Sequence, residues 1–201
     1  MNEGIAIFAG IGLAAACGLR VFLPWFVASL AIRHDFGGIG GFELGSLLGA
    51  EMEWLGSPAV TLALGIATAA EIVGYYVPWL DNLLDTVATP LAVVAGTLIA
   101  FAFLPGGIED PAAKWFLAAI AGGGTAGIVQ AGTVILRGAS SAATGGLANP
   151  AVSTAEAGGS TAASLLTVFS PLIAGGLAIA LAAFLLIRLA ALRRTARDPS
   201  A

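Results

Sequence analysis

The chain has 201 residues, of which 58% are hydrophobic and 10% charged, with a formal net charge of −4. Ordinary soluble domains carry roughly a quarter charged residues, so water is not the main solvent here, and the acidic balance offers no basic surface for nucleic acid. With one cysteine, Cys17, and one histidine, His34, an internal disulfide is excluded and zinc ligand sets and a Ser-His-Asp triad are poorly supplied. The expectation is an all-α, polytopic transmembrane helical bundle that is not an enzyme and has no cofactor.

In chain order, the first apolar run covers residues 4–32 and begins directly after Met1, Asn2 and Glu3, without a basic leader. It reads as a retained helix rather than a cleaved signal. Arg20 and Pro24 lie near its middle, and a proline there removes a backbone donor, so a kink or break is predicted. Residues 33–56 hold Asp35, Glu43, Glu51 and Glu53 among Phe42, Leu47, Leu48, Met52 and Trp54, the make-up of a short amphipathic element at the interface. His34, beside Asp35, reads as solvated.

A second span over residues 58–77 carries Glu71 inside its apolar run and ends in Tyr75 and Tyr76, followed by Pro78 and Trp79, an aromatic belt with a break. The third span begins at Asp81 or Asp85 and runs to Leu104. Those two acids, four apart, share one face of a helix whose N-terminus favours negative charge; they read either as caps or as a cation-gathering pore mouth. A fourth span, residues 111–136, opens on a proline suited to the first helical turn and contains Gly122, Gly123 and Gly124, which allow another backbone to approach. Arg137 closes it.

Residues 138–164 are small and polar, with Asn149, Pro150 and Glu156 embedded. They read either as a soluble loop or as a re-entrant, irregular segment whose backbone is satisfied by protein or a watery cavity. The last span, residues 165–192, leads into a basic tail over residues 193–201 that belongs on the cytoplasmic side of the inner (plasma) membrane. About five crossings fit the basic residues best, with Arg137 alone against the rule; a sixth within residues 138–164 would move the N-terminus to the cytoplasmic side.

The whole chain, residues 1–201, reads as one integral membrane domain with a possible internal, inverted repeat. Thr86, Val87, Ala88, Thr89, Pro90 and Leu91 match Thr167, Val168, Phe169, Ser170, Pro171 and Leu172. An Ala-Glu pair precedes each, ending in Glu71 and Glu156, which gives halves of residues 1–107 and 108–195.

Charges inside a membrane cost about 2.5 to 3.5 kcal/mol each on insertion scales, so they pair or line a path. Arg20 and Glu71 are expected to face each other across a polar seam, as an ion or anionic head-group site or as a structural salt bridge. Asn149, Ser153, Thr154, Glu156 and Gln130 are candidates for further polar lining. Two roles follow: a small transporter or channel for an ion or polar solute, or a non-transporting scaffold or accessory subunit. Its partners would be the lipid bilayer and either further copies of itself or a membrane complex. Asn149, Pro150 and Ala151 resemble the aquaporin signature, but that family needs two copies and an arginine where Val152 stands.

A broader resemblance covers most of the chain. Gly18, Leu19 and Arg20 with Leu23 and Pro24; Glu71 with Pro78, Trp79, Leu80, Asp81, Leu84 and Asp85; and residues 145–150 with Ser153 and Glu156 together resemble a bacterial family of small membrane proteins, domain of unknown function 4126. The resemblance implies a fold and no activity. Tyr75, Tyr76 and Val77 depart from it, where an Asp-Lys-like pair is expected before Pro78.

Overall fold

A computed structural model of the chain describes residues 2–38, 41 and 43–197; of residues 2, 50–51, 78–79, 81–82 and 192–197 it describes the backbone course alone. The described residues form an all-α fold: α1 (Asn2–Cys17), α2 (Leu23–Arg33), two short 3-10 turns (Leu44–Leu47 and Ala50–Gly56), α3 (Pro58–Gly74), α4 (Pro78–Ala102), α5 (Pro111–Ala118), a π-helical segment (Ala119–Gly123), α6 (Gly124–Thr144), α7 (Asn149–Phe169) and α8 (Pro171–Arg197). Proline stands in the first two positions of α2, α3, α4, α5 and α7. It fits there because the N–H it lacks has no partner within the helix anyway. The segments α5, π and α6 run on as one helix of 34 residues, Pro111–Thr144.

Helix α1 is the centre of the packing, touching α4, α6, α7 and α8. Its last five residues, Leu13, Ala14, Ala15, Ala16 and Cys17, are all buried, small enough for neighbouring helices to close around them from several sides. The π segment approaches α4 most tightly: a Cβ on Gly122 would stand 2.1 Å from the Gly96 carbonyl oxygen, so only glycine permits this backbone contact. The 3-10 turns bury Leu44, Leu47 and Leu55 in the main core and leave Trp54 half exposed, so this segment is amphipathic.

The expected irregular segment is corrected. Residues 138–164 are mostly helical: α6 continues to Thr144, Gly145 and Gly146 turn the chain with φ of 62° and 89°, and α7 starts at Asn149. The low hydropathy that suggested a loop comes from polar residues of α7 that face inward. Three helical stretches, Leu83–Ala102, Pro111–Thr144 and Pro171–Ala191, are long and apolar enough to cross a membrane, which is consistent with a membrane protein.

Candidate functional site

The site grows out of the break between α1 and α2. Helix formation stops at Cys17 and resumes at Leu23, which leaves the N–H groups of Val21 and Phe22, just ahead of α2, without intrahelical acceptors. Glu71 of α3 supplies them: Oε1 accepts from the Val21 N–H at 2.7 Å and Oε2 from the Phe22 N–H at 3.0 Å. A carboxylate at the positive end of a helix is favourably placed. On the other side of the break, the Ser160 hydroxyl of α7 donates to the Ala16 carbonyl at 3.0 Å. The break is therefore satisfied by side chains from two other helices, as buried backbone requires.

Arg20 lies within the break, 3% exposed, and turns toward α7. Its Nη1 is 3.0 Å from Glu156 Oε2, and its Nη2 donates to the Ser153 carbonyl and hydroxyl oxygens, both at 2.8 Å. Arg137 of α6 reaches the same carboxylate through a fork: Nε donates to Oε1 at 3.0 Å and Nη2 contacts Oε2. Nη2 also donates to the Ser153 hydroxyl at 3.1 Å, while Nη1 lies 3.4 Å from Asp85 Oδ1 on α4. The ring of Tyr75, just past α3, carries both cations, with guanidinium carbons 3.9 and 4.4 Å from its centroid. Two arginines thus share one glutamate, one serine and one aromatic ring. Asp85, whose side chain is 27% exposed, is the member of the network nearest the surface.

Both α3 and α7 are inside out. Along α7, Ser153, Glu156, Ser160, Ser164 and Thr167 are buried at helical spacing, whereas Leu165 and Phe169 are exposed; along α3, Thr61, Thr68 and Glu71 are buried and Leu62, Ile66 and Val73 are exposed. In water that arrangement would be costly; in hydrocarbon it is the ordinary way to place polar groups. Among the described residues, Ser164 Oγ and Thr68 Oγ1 are buried without a hydrogen-bond partner.

The expected Arg20–Glu71 pair is corrected: the salt-bridge partner of Arg20 is Glu156, while Glu71 accepts from the Val21 and Phe22 N–H groups just ahead of α2. Asn149 stands apart from the network, two turns before Glu156, where its Nδ2 donates to the Ser141 hydroxyl at 3.1 Å. Asp85 joins the network through Arg137, and the side chain of Asp81 lies outside the described residues. Thr154 bonds Tyr76 through their hydroxyls at 2.8 Å, away from the arginines, and Gln130 is buried on α6. Sequence reasoning missed Arg137 and Tyr75. The signal for Arg137 was its disagreement with the charge rule: a basic residue buried in an ion network does not report which side of a membrane it came from.

An all-α bundle with long apolar helices around a buried network of arginines and carboxylates defines the class, a helical protein whose long apolar helices are consistent with a membrane setting. The chain belongs to the family described as Domain of unknown function (DUF4126), which matches residues 7–191 and so covers every residue of the site. Comparison with curated proteins and with solved structures gave no match.

Proposed function

We propose that this chain is a small, non-enzymatic polytopic membrane protein that moves an ion or small anionic solute through the polar seam between α1, α3, α6 and α7. One observation carries the reading: two buried arginines, one from the break between α1 and α2 and one from α6, converge on a single carboxylate. That is the arrangement in which a mobile anion can take the place of a resident one, since a bidentate guanidinium accepts a carboxylate, phosphate or halide with little change of geometry. Discontinuous helices at such sites supply ligand-binding backbone and let halves of a protein rock. Glu156 is then the resident counter-ion that closes the site between turnovers, and Asp85 stands at its mouth.

The inward-facing α7 supports six crossings, with both termini on the cytoplasmic side. It also supports an inverted repeat of three elements per half: α1 with α2, α3 and α4, followed by the α5–α6 helix, α7 and α8. Glu71 and Glu156 then occupy corresponding helices. Reconstitution into liposomes tests the function. Wild type is expected to release chloride, nitrate or small carboxylates faster than protein-free vesicles, and Arg137→Met to abolish the difference. Equal leak with and without protein for all of them refutes transport.

A second reading has its own support. The charges of the network satisfy one another, as they would in a brace that fixes helix register in a scaffold or accessory subunit. Stoichiometric isolation with a larger membrane complex, retained when Arg20, Arg137 and Glu156 are all replaced by Met, would favour it. Isolation as a homo-oligomer favours the transporter.

A further inference from the structure

Between α2 and α3 runs a groove of about 430 Å³, lined on α3 from Pro58 to Ala69 and on α2 by Phe26 and Arg33. The α3 positions, among them Leu62, Gly65 and Ala69, recur at helical spacing and form one stripe along three turns. Glycine at 65 lets the Phe26 ring close the floor, since a Cβ there would stand 3.1 Å from it. Leu62 and Ile66 at the rim are exposed, and both helices are apolar, so in a bilayer the groove opens to acyl chains.

One end of the groove is charged. Arg33, in the last turn of α2, is exposed, and among the described residues nothing forms an ion pair with its guanidinium. That group stays protonated whatever its surroundings. The Thr61 hydroxyl is taken by the Ser29 hydroxyl at 2.7 Å and the Ser57 carbonyl at 3.0 Å, so Arg33 is the polar side chain that the lining offers to a ligand. Acids stand just beyond it. The chain after α2 folds back through a bridge between Gly37 and Glu43 and returns to the end of α2 at Gly56, where an added Cβ would stand 3.6 Å from the Arg33 backbone nitrogen. This returning segment carries Asp35, Glu43 and Glu53, all exposed.

We infer that the α2–α3 groove seats an acyl chain of a zwitterionic phospholipid, with the phosphate on Arg33 and the ammonium turned to the acids of the segment that follows. Such a lipid carries hydrocarbon, then a negative charge, then a positive one; the protein presents an apolar stripe, then a cation, then acids. A guanidinium binds phosphate oxygens through charge-assisted hydrogen bonds, whereas an anionic head group without an amine would meet those acids with nothing to offset the repulsion. The site needs the bilayer but not transport, and would be filled in a scaffold as well.

Native mass spectrometry of the detergent-purified full chain tests it with three probes of identical acyl chains: phosphatidylethanolamine, phosphatidylglycerol and diacylglycerol. The first is expected to bind roughly fivefold more tightly than either of the others, the scale of one exposed charge contact. Arg33→Gln, a change at an exposed position, should bring it down to the level of diacylglycerol. Ala69→Phe, which blocks the groove and keeps Arg33, should weaken binding of all three. Equal binding of the three by wild type, a preference for phosphatidylglycerol, or undiminished phosphatidylethanolamine binding by Arg33→Gln overturns the inference. Anion release from liposomes is a separate reading, so loss of the lipid site and loss of transport are told apart.

Discussion

Replacing Glu156 by glutamine removes the one carboxylate on which both buried arginines rest while keeping its shape. In the native chain Glu156 holds Arg20 at 3.0 Å and Arg137 through two contacts, one of them at 3.0 Å. Breaking one buried ion pair by deleting a single partner costs about 3 to 5 kcal/mol, chiefly because the remaining charge has lost its compensation. Here Arg137 keeps Asp85 at 3.4 Å and both arginines keep Tyr75, whose cation–π contacts offset about 0.5 to 2 kcal/mol each. The expected loss for Glu156→Gln is therefore near the lower end, about 3 kcal/mol. The triple replacement of Arg20, Arg137 and Glu156 by Met should be far milder, because exchanging a whole buried ionic group for apolar side chains is often neutral or stabilising. Unfolding in mixed micelles, followed by circular dichroism, measures both. If Glu156→Gln lies within about 1 kcal/mol of wild type, the two arginines do not depend on that carboxylate in the way described.

Other substitutions probe separate parts of the fold. Glu71→Ala should strip the acceptor from the Val21 and Phe22 amides, at about 1 to 3 kcal/mol for each buried donor, and hydrogen exchange at those two amides should accelerate well before that of α2 itself. Tyr75→Leu should cost about 1 to 3 kcal/mol through the two lost ring contacts, whereas Tyr75→Phe, which keeps the ring, should cost much less by the same unfolding assay. Gly122→Leu should separate α4 from the π segment, since even a Cβ would stand 2.1 Å from the Gly96 oxygen and 2.4 Å from the Ala100 Cβ; loss of the folded species on size-exclusion chromatography is the expected result. Gly138→Ala, with no atom within 4 Å of the added carbon, should instead stabilise the exposed helix by up to about 1 kcal/mol.

Much of this architecture was legible because apolar runs and prolines are local signals. The break around Arg20 and Pro24 and the starts of α3 and α5 at Pro58 and Pro111 all follow from residues within a turn or two of the feature. Helix α7 was obscured for a physical reason. Its Ser153, Glu156, Ser160 and Ser164 satisfy helical spacing but carry the polarity of a loop, and only the partners across the bundle reveal that the polar side is the inner one. The site was half legible. Rarity of charge pointed to Arg20, Glu71 and Glu156, but which acid meets which base depends on contacts between residues 133 and 136 positions apart, beyond any sequence window. Tyr75 looked like part of an aromatic belt since its composition is that of an interface, and nothing nearby in the chain indicates the two cations on its ring.

The five-residue π segment, Ala119–Gly123, has a consequence for how the charged centre is aimed. Such a bulge is commonly one residue more than a regular helix needs, and each residue turns an α-helix by about a hundred degrees. The inserted residue therefore sets the azimuth of everything after it, including Arg137 fourteen positions beyond Gly123. Deleting one alanine from that turn would scarcely alter the hydropathy of the chain, yet it would swing the arginine away from Glu156. The count of residues in a stretch with no charge at all decides where the charge points.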